Sequence, residues 1–496
     1  MSCHGPKQIV GENAISMKTE RGEEMNKANA TDPTAHPYMA NSNVGNYQHM
    51  MKIAGVADIE ELFEQIPAAH RTTRNFDLGP VLSAESSLYR HVSDILRKSA
   101  TCEENLNFLG AGCWQHYVPA ICDEMVTRAE FLTPVWGTPS SDHGRSQAWF
   151  EFASQLGELV GMEFVGLPVY SFGTAGGHAI RMAVRLTGRN KVLLPSSLDP
   201  ERLAVIKSYC SLPELAGYIE IVMVEINKTN GRMNLEDLKQ KLGSDVAAVY
   251  FDNPSYLGVI ESEAKEISKL AHGYGAEVIV GVDPISLGVL IPPSEYGADI
   301  VVGTTQPLGV HMNCGGGVGG FIATRDEERY AREYPTLQVS MTSTSVEGEM
   351  AFGLTLFEQS SYGSREQGKD WTGNSVYLWA IANAVYMSLM GPQGFRDIGN
   401  SILERSHYAA TKMNSIPGVK VLWAEGFFKE FVVNFDQVKV DVETINSRLR
   451  EDGIFGGKDL TVDFPELGKS ALYCVTEIHT KEDIDRLVQS LEEAVK

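Results

Sequence analysis

GVDPISLGVLIPPSEYGADIVVGTTQPLGVHMNCGGGVGG occupies residues 281–320. An apolar run, residues 278–282, leads into Asp283; a second, residues 300–302, ends at Gly303; a glycine-rich tract, residues 315–320, leads into Phe321 and Ile322. Short, continuously apolar runs with polar or glycine-rich ends are the pattern of strands buried on both faces of a parallel sheet. Ligands of open α/β sheets bind at the carboxyl ends of such strands. Asp283, followed by Ser286, suits the pyridinium partner of pyridoxal phosphate (PLP) there. That coenzyme also needs a lysine for its Schiff base. No lysine lies between Lys269 and Lys369, and the expected place for one, residues 304–313, has none. The frame looks like that of a PLP enzyme, and the key nucleophile is missing.

The rhythm around this stretch supports the sheet. From residue 144 onward, helical and strand-like segments alternate: helix over 146–160, strand over 165–172, helix over 179–186, strand over 191–195, helix over 199–209. Strand over 219–224, helix over 234–242, strand over 246–252 and helix over 262–274 follow. Alternation over roughly 180 residues predicts a mainly parallel sheet covered on both faces. Asp199 followed by Pro200 reads as a helix N-cap and first helical position. Upstream, helices are expected over 46–66, 88–98 and 121–128, with a Pro/Gly/Ser-rich loop over 130–145. Downstream, helices over 375–390 and 394–413 flank Gly391-Pro392, and further strands and helices build an α/β domain. The expected division is a disordered extension over 1–35, a helical segment with cleft loops over 36–143, and the large α/β domain over 144–332. An irregular connection over 333–374 and a smaller C-terminal α/β domain over 375–496 complete it.

Bulk properties narrow the function classes. The chain has 496 residues, 43% hydrophobic and 21% charged, with a formal net charge of −22. That charge argues against general binding to nucleic acid or to an anionic membrane. The seven cysteines are scattered without a CxxC pair, which fits a reducing compartment and gives no zinc signature. No apolar run approaches the roughly 20 residues of a membrane span, and the polar start lacks the apolar centre of a signal peptide. A cytoplasmic protein is expected.

Individual motifs each carry two readings. Gly173 and Thr174, in Ser171-Phe172-Gly173-Thr174-Ala175-Gly176-Gly177, sit between a strand and a helix, where small residues let backbone amides approach a phosphate. The plain alternative is a tight turn that needs glycine. Asp283 is equally a helix N-cap. His116 and Tyr117 follow a Gly110/Gly112 turn, from which side chains can project into a site or simply pack. Trp136, Asp142, His143 and Arg145 lie on the expected loop. Asn253-Pro254 with Tyr256 reads as ring contact or structural turn. His311 and Cys314 are too few for a metal site, so no metal is expected.

Taken together, NFLGAGCWQHYVPA, FVGLPVYSFGTAGGHA, the residue 281–320 series, SLMGPQGFRDI, REDGIFGGKDL and ALYCVTEIHTKEDIDRLV resemble glycine dehydrogenase (decarboxylating) subunit 1. This is the N-terminal-half type of the glycine cleavage P-protein. The resemblance runs from about residue 36 to the C-terminus. It implies the PLP-dependent transferase fold type I and accounts for the missing lysine. In that family a second subunit carries the lysine and holds PLP, while subunit 1 completes the cleft with a degenerate site. The reaction it implies is decarboxylation of glycine and transfer of the aminomethyl group to the lipoyl arm of H-protein. The family's Asp-His-Tyr run corresponds to Gln115, His116 and Tyr117, so His116, Tyr117 and Trp136 are the expected cleft-lining residues. Gly173, Thr174, Asp283 and Ser286 are the expected remnants of a cofactor cradle.

Three stretches depart from the family pattern. The family's Tyr-Thr-Pro-Tyr-Gln-Pro-Glu-type loop is replaced by residues 133–143. The REQ…REKATSNICTNQAL-type segment is replaced by residues 365–374, and the Asp before Gly-Ala-Thr by Phe172. Such loop changes can switch specificity, so a diverged paralogue acting on another small amino acid is one reading. The expected partners are a subunit 2-like chain, H-protein if the chain is a standard member, and in the absence of subunit 2 a homodimer. Two rival readings remain open at this point: a self-sufficient PLP lyase or decarboxylase using Lys369, and a non-catalytic scaffold subunit.

Overall fold

The computed structural model describes residues 43–72, 74, 77, 79, 82, 84–132, 139–212, 217–313, 319–355, 364–373 and 375–496. The chain divides into two units, Met1–Arg97 and Lys98–Lys496. In the first, Asn43 caps a helix over Val44–Ala54 by accepting from the Gly45 amide, and a second helix spans Glu85–Leu96. Neither helix contains a buried residue. The expected extension over 1–35 lies outside the described residues.

The second unit is built on a seven-stranded sheet. Its strands follow β1 (Leu106–Asn107): β2 (Phe164–Val165), β3 (Lys191–Pro195), β4 (Glu220–Val224), β5 (Val246–Asp252), β6 (Glu277–Val282), β7 (Ile300–Thr304) and β8 (Gly320–Thr324). The order is β2-β8-β7-β6-β5-β3-β4. Strands β7, β6, β5, β3 and β4 run parallel; β8 and β2 are antiparallel to their neighbours. The continuous apolar runs follow from burial on both faces. Val249, Phe251, Val278, Val280, Val282 and Val301 point into one core with helices Pro139–Val160 and Ala264–Gly273. Their alternates Ala248, Tyr250, Ile279, Ile300 and Val302 point into the opposite core with helices Phe172–Thr187 and Pro200–Cys210. A residue such as Val280, fully withdrawn from water, contributes about 1.5–3 kcal/mol. Charge is therefore confined to the strand ends, where β5 finishes at Asp252 and β6 runs into Asp283.

Three expectations change. Residues 171–177 do not form a turn: Ser171 caps a helix that begins at Phe172, and the glycines lie inside it. A Cβ on Gly173 would come within 2.9 Å of Val205, on Gly176 within 3.2 Å of Ile206, and on Gly177 within 3.0 Å of Tyr209. Spacing of three and four residues puts them on one helical face, and their lack of side chains lets helix Pro200–Cys210 pack close. The loop expected over 130–145 contains the helix Ala129–Leu132 and the start of Pro139–Val160. The irregular connection holds an antiparallel hairpin of β9 (Gln338–Ser343) and β10 (Met350–Thr355). Its Ser/Thr-rich sequence resembles loop composition, yet Phe352 packs on Phe150 with ring centres 5.4 Å apart.

The C-terminal part carries β11 (Lys420–Val421), β12 (Glu430–Asn434), β13 (Ile454–Phe455), β14 (Lys458–Asp459) and β15 (Ser470–Cys474). Strands β11, β12, β15 and β14 form one antiparallel sheet, and β13 pairs in parallel with β1. Helix Tyr377–Met413 connects the two sheets. It is broken at Gly391, whose φ of 56° is non-helical, before Pro392. Proline suits a first helical turn because its missing N–H has no partner there anyway.

The segment before this helix is held by charge. Asp370 accepts from Arg181 Nε at 2.8 Å and Arg185 at 2.7 Å. Burial alone would raise its carboxyl, but His178, Arg185 and Arg181 outweigh it and hold it well below the usual carboxylate range. Breaking a largely buried ion cluster by removing one partner costs about 3 kcal/mol or more. Asp370→Asn is therefore expected to lower the unfolding free energy at neutral pH by that order, read as a lower urea midpoint; an unchanged midpoint would show the cluster to be energetically idle.

Candidate active site

The carboxyl ends of β5 and β6 meet the start of β12 and the residue 110–117 loop. Asp283 follows β6 and caps the 3₁₀ turn Pro284–Gly288, accepting from the Ile285 amide at 3.1 Å. Its other carboxylate oxygen lies 2.8 Å from the ammonium of Lys429. Lys429 precedes β12 and is only 2% exposed. Its Nζ lies 3.5 Å from the centre of the Trp114 ring and 3.0 Å from His116 Nε2. An ammonium has only donors, so Nε2 must accept. That puts the imidazole proton on Nδ1, which donates to Glu477 at 2.7 Å.

Glu477 lies in the turn after β15. It also accepts from the Tyr117 amide at 2.9 Å, and its main-chain oxygen accepts from Arg405. Burial would raise its carboxyl, but His116 and the Tyr117 amide outweigh it and hold it below the usual carboxylate range. A continuous chain of contacts thus runs Glu477–His116–Lys429–Asp283. It ends next to Tyr117, whose side chain is 66% exposed. Gln115 is fixed beside it, its side chain bonded to Asn107 and Cys102 and its carbonyl accepting from Thr476.

A second buried pair closes the other end. Arg202 lies 2.5 Å from Asp252 and 3.7 Å from Asp199, and its guanidinium stacks 3.6 Å over the Phe172 ring. Tyr250 also donates to Asp252, at 2.8 Å. Burial would lower the guanidinium's affinity for its proton, but the neighbouring acids reverse the shift. Phe172 stands where the family resemblance leads one to expect an acid, and it forms the surface on which Arg202 lies.

These residues do not fit PLP. Asp283 already faces an ammonium. The helix starting at Phe172 is capped by Ser171, which accepts from the Thr174 amide, and is covered by Phe172 and Arg202. The space left among Trp114, Phe172, Arg202, Asp252, Asp283 and Lys429 is about 20 Å³. That is room for roughly one water, against roughly 300 Å³ or more for a small-molecule pocket.

The expected site residues therefore land as follows. His116 and Asp283 are brought together, through Lys429. Gly173 and Thr174 lie buried in the helix, and Ser286 is fully buried with its hydroxyl donating to the Asp283 carbonyl at 2.7 Å. Tyr256 lines the small cavity and stacks on Phe464 at 5.9 Å. Trp136 and Cys314 lie outside the described residues, as do the side chains of Asp142 and His143. His311 pairs at the surface with Asp123, and no cluster of metal-binding side chains occurs among the described residues. Lys369 does not line the small cavity; it pairs with Glu333. Lys429 escapes the reading by motif. Its signal is Phe427-Phe428-Lys429-Glu430-Phe431-Val432, a charged pair inside an apolar run, where a buried charge demands a partner.

Glu430, the other half of that pair, accepts from the Ala111 amide at 2.6 Å. Burial pushes its carboxyl up to about 7, with Lys429 and Ala111 offsetting part of the rise. An unfolded glutamate titrates near 4.5. The folded chain thus binds the extra proton between these values, and its stability falls as pH rises through that window. The shift corresponds to on the order of 3 kcal/mol. Glu430→Gln should flatten the decline in urea stability between about pH 5 and about pH 8; parallel profiles for variant and wild type would contradict the assignment.

Comparison with known proteins agrees with this frame. The family model described as glycine cleavage system P-protein matches residues 37–491. A probable glycine dehydrogenase (decarboxylating) subunit 1 from Staphylothermus marinus is 36% identical over 476 residues, 93% of this chain and 98% of that protein. A protein of the same name from Moorella thermoacetica is 36% identical over 445 residues, covering 90% and 96%. The crystal structure of an inhibitor-bound glycine decarboxylase (P-protein) superposes with a TM-score of 0.80 at 30% identity, over 94% of this chain and 100% of that one. A sphingosine-1-phosphate lyase from Burkholderia pseudomallei, at TM-score 0.58 and 14% identity, covers 87% of this chain and 94% of its own and shares the fold alone. The architecture is the α/β fold type I of PLP-dependent enzymes. With the match spanning both sheets and the loop that joins them at Asp283, the chain belongs to the glycine cleavage system P-protein family.

Proposed function

We propose that this chain is a subunit of a PLP-dependent glycine dehydrogenase (decarboxylating), and that it completes an active site whose coenzyme is held by a lysine-bearing second subunit. One observation carries the reading: the place for a coenzyme in this chain is filled by its own charged side chains, while the loop tied to those side chains holds an exposed Tyr117. When bound to the second subunit, PLP supplies the electron sink for loss of the substrate carboxylate. The work of this chain is different. Glu477 holds the Tyr117 backbone, and His116 fixes Glu477 to Lys429. Both ring nitrogens of His116 are engaged within the protein, so it positions the loop rather than exchanging protons with substrate. Tyr117 offers a phenol, donor and acceptor, to the shared cleft. Exposed on a fixed loop, it needs no reorganisation to meet a small amino acid and the lipoyl arm of H-protein.

The test is reconstitution. Purified chain, lysine-bearing partner and H-protein together should release carbon dioxide from glycine, and this chain alone with PLP should not. A displacement of about 1 Å at a cleft can cost on the order of 100-fold. His116→Ala should therefore lower kcat/KM of the reconstituted enzyme by roughly that factor. Turnover by the chain alone would overturn the shared site. Full activity after substitution of both His116 and Tyr117 would favour a non-catalytic scaffold.

A further inference from the structure

We infer that the inherited coenzyme cradle of this chain is permanently closed by Lys429, whose ammonium stands on Asp283 in place of a pyridinium and converts the cradle into a clamp for the residue 110–117 loop. The inference builds on the shared-site reading above, since it accounts for how a chain that holds no coenzyme can still keep its side of the cleft rigid.

The geometry supports each part. A pyridinium and an ammonium both bring a positive charge to an aspartate, the pyridinium through one N–H and the ammonium through three. Asp283 lies at the carboxyl end of β6, where a ring nitrogen would seek it, and there it meets Lys429 at 2.8 Å. Lys429 arrives from the other sheet, one residue before β12. The same ammonium that forms an ion pair with Asp283, without hydrogen-bonding its Oδ2, donates to His116 at 3.0 Å and lies 3.5 Å over Trp114. Both of those residues belong to the loop. A single cation therefore joins the large sheet, the C-terminal sheet and the loop at one point.

Covering the ammonium by a ring face strengthens such a contact once water is excluded. The loop is also held from behind: the Ala111 amide donates to Glu430, the residue after Lys429. A Cβ on Gly110 would run into the Glu430 carboxylate and lie 2.7 Å from the Cys474 Cβ. The loop's glycine turn is thus shaped to the clamp.

A buried ion pair of this kind has a recognisable thermodynamic signature. Removing one partner strands the other charge, whereas removing both leaves no charge to strand. Asp283→Asn and Lys429→Met should each lower the melting temperature by several degrees. The double variant should lose less than the two single losses combined. In the folded Lys429→Met variant, or in the double variant if the single one does not fold, amide hydrogen exchange at residues 111–117 should accelerate at least tenfold. Exchange in β5 and β6 should accelerate less, by no more than the global loss of stability gives, whereas a uniform destabilisation would speed loop and strands alike.

The isolated wild-type chain, titrated with PLP and then reduced with borohydride, should show no saturable binding and no trapped adduct. PLP binding without turnover would overturn the closed cradle and leave the shared site standing. Additive losses in the double variant, or unchanged exchange at the loop, would overturn the clamp. Glycine turnover by the isolated chain would instead remove the shared-site reading itself.

Discussion

The contact between Asp283 and Lys429 is the constraint on which the site depends. Both groups are almost wholly withdrawn from water, and neither could remain charged there alone. Their pairing fixes where the start of β12 must lie relative to β6, and thus how the C-terminal sheet meets the large one. His116 and Trp114 extend the pairing to a loop more than 300 residues away in sequence, at a separation of 313 between Lys429 and His116. The position of the loop is therefore set by distant parts of the chain as well as by its own sequence.

The same balance of charge lets the carboxylates at the strand ends of this frame stay buried, with the positive charge supplied by the chain itself. A carboxylate at the end of a buried strand is costly when nothing faces it. Filling the space with ammonium, guanidinium and an aromatic ring brings positive charge to Asp283 and Asp252 from within. The strands that carry them, alternately apolar toward two cores, need no change.

Much of the frame is legible in the sequence, for reasons that can be named. Residues 246–252 and 277–282 are mainly apolar because both faces are buried; a strand with one wet face would alternate with polar residues instead. Asp199 with Pro200, and Gly391 with Pro392, mark helix boundaries through backbone chemistry that acts locally. Where the decisive partner is distant, the sequence falls silent. The glycines of 173–177 look like a phosphate turn until Val205, Ile206 and Tyr209 are placed against them. The hairpin of β9 and β10 hides in Ser/Thr-rich sequence because its stabilising contacts come from helix Pro139–Val160. The absence of lysine after Asp283 is plain in the sequence, but the amine that answers it arrives from residue 429, and no local pattern joins the two.

The most direct measurement is diffraction from crystals of the isolated chain soaked in PLP. If the cradle is closed as described, the maps will show the Lys429 ammonium on Asp283, the Arg202 guanidinium on Phe172, and no ring density between them. Density for a pyridine ring seated on Asp283, with Lys429 displaced or bonded to it, would contradict the account.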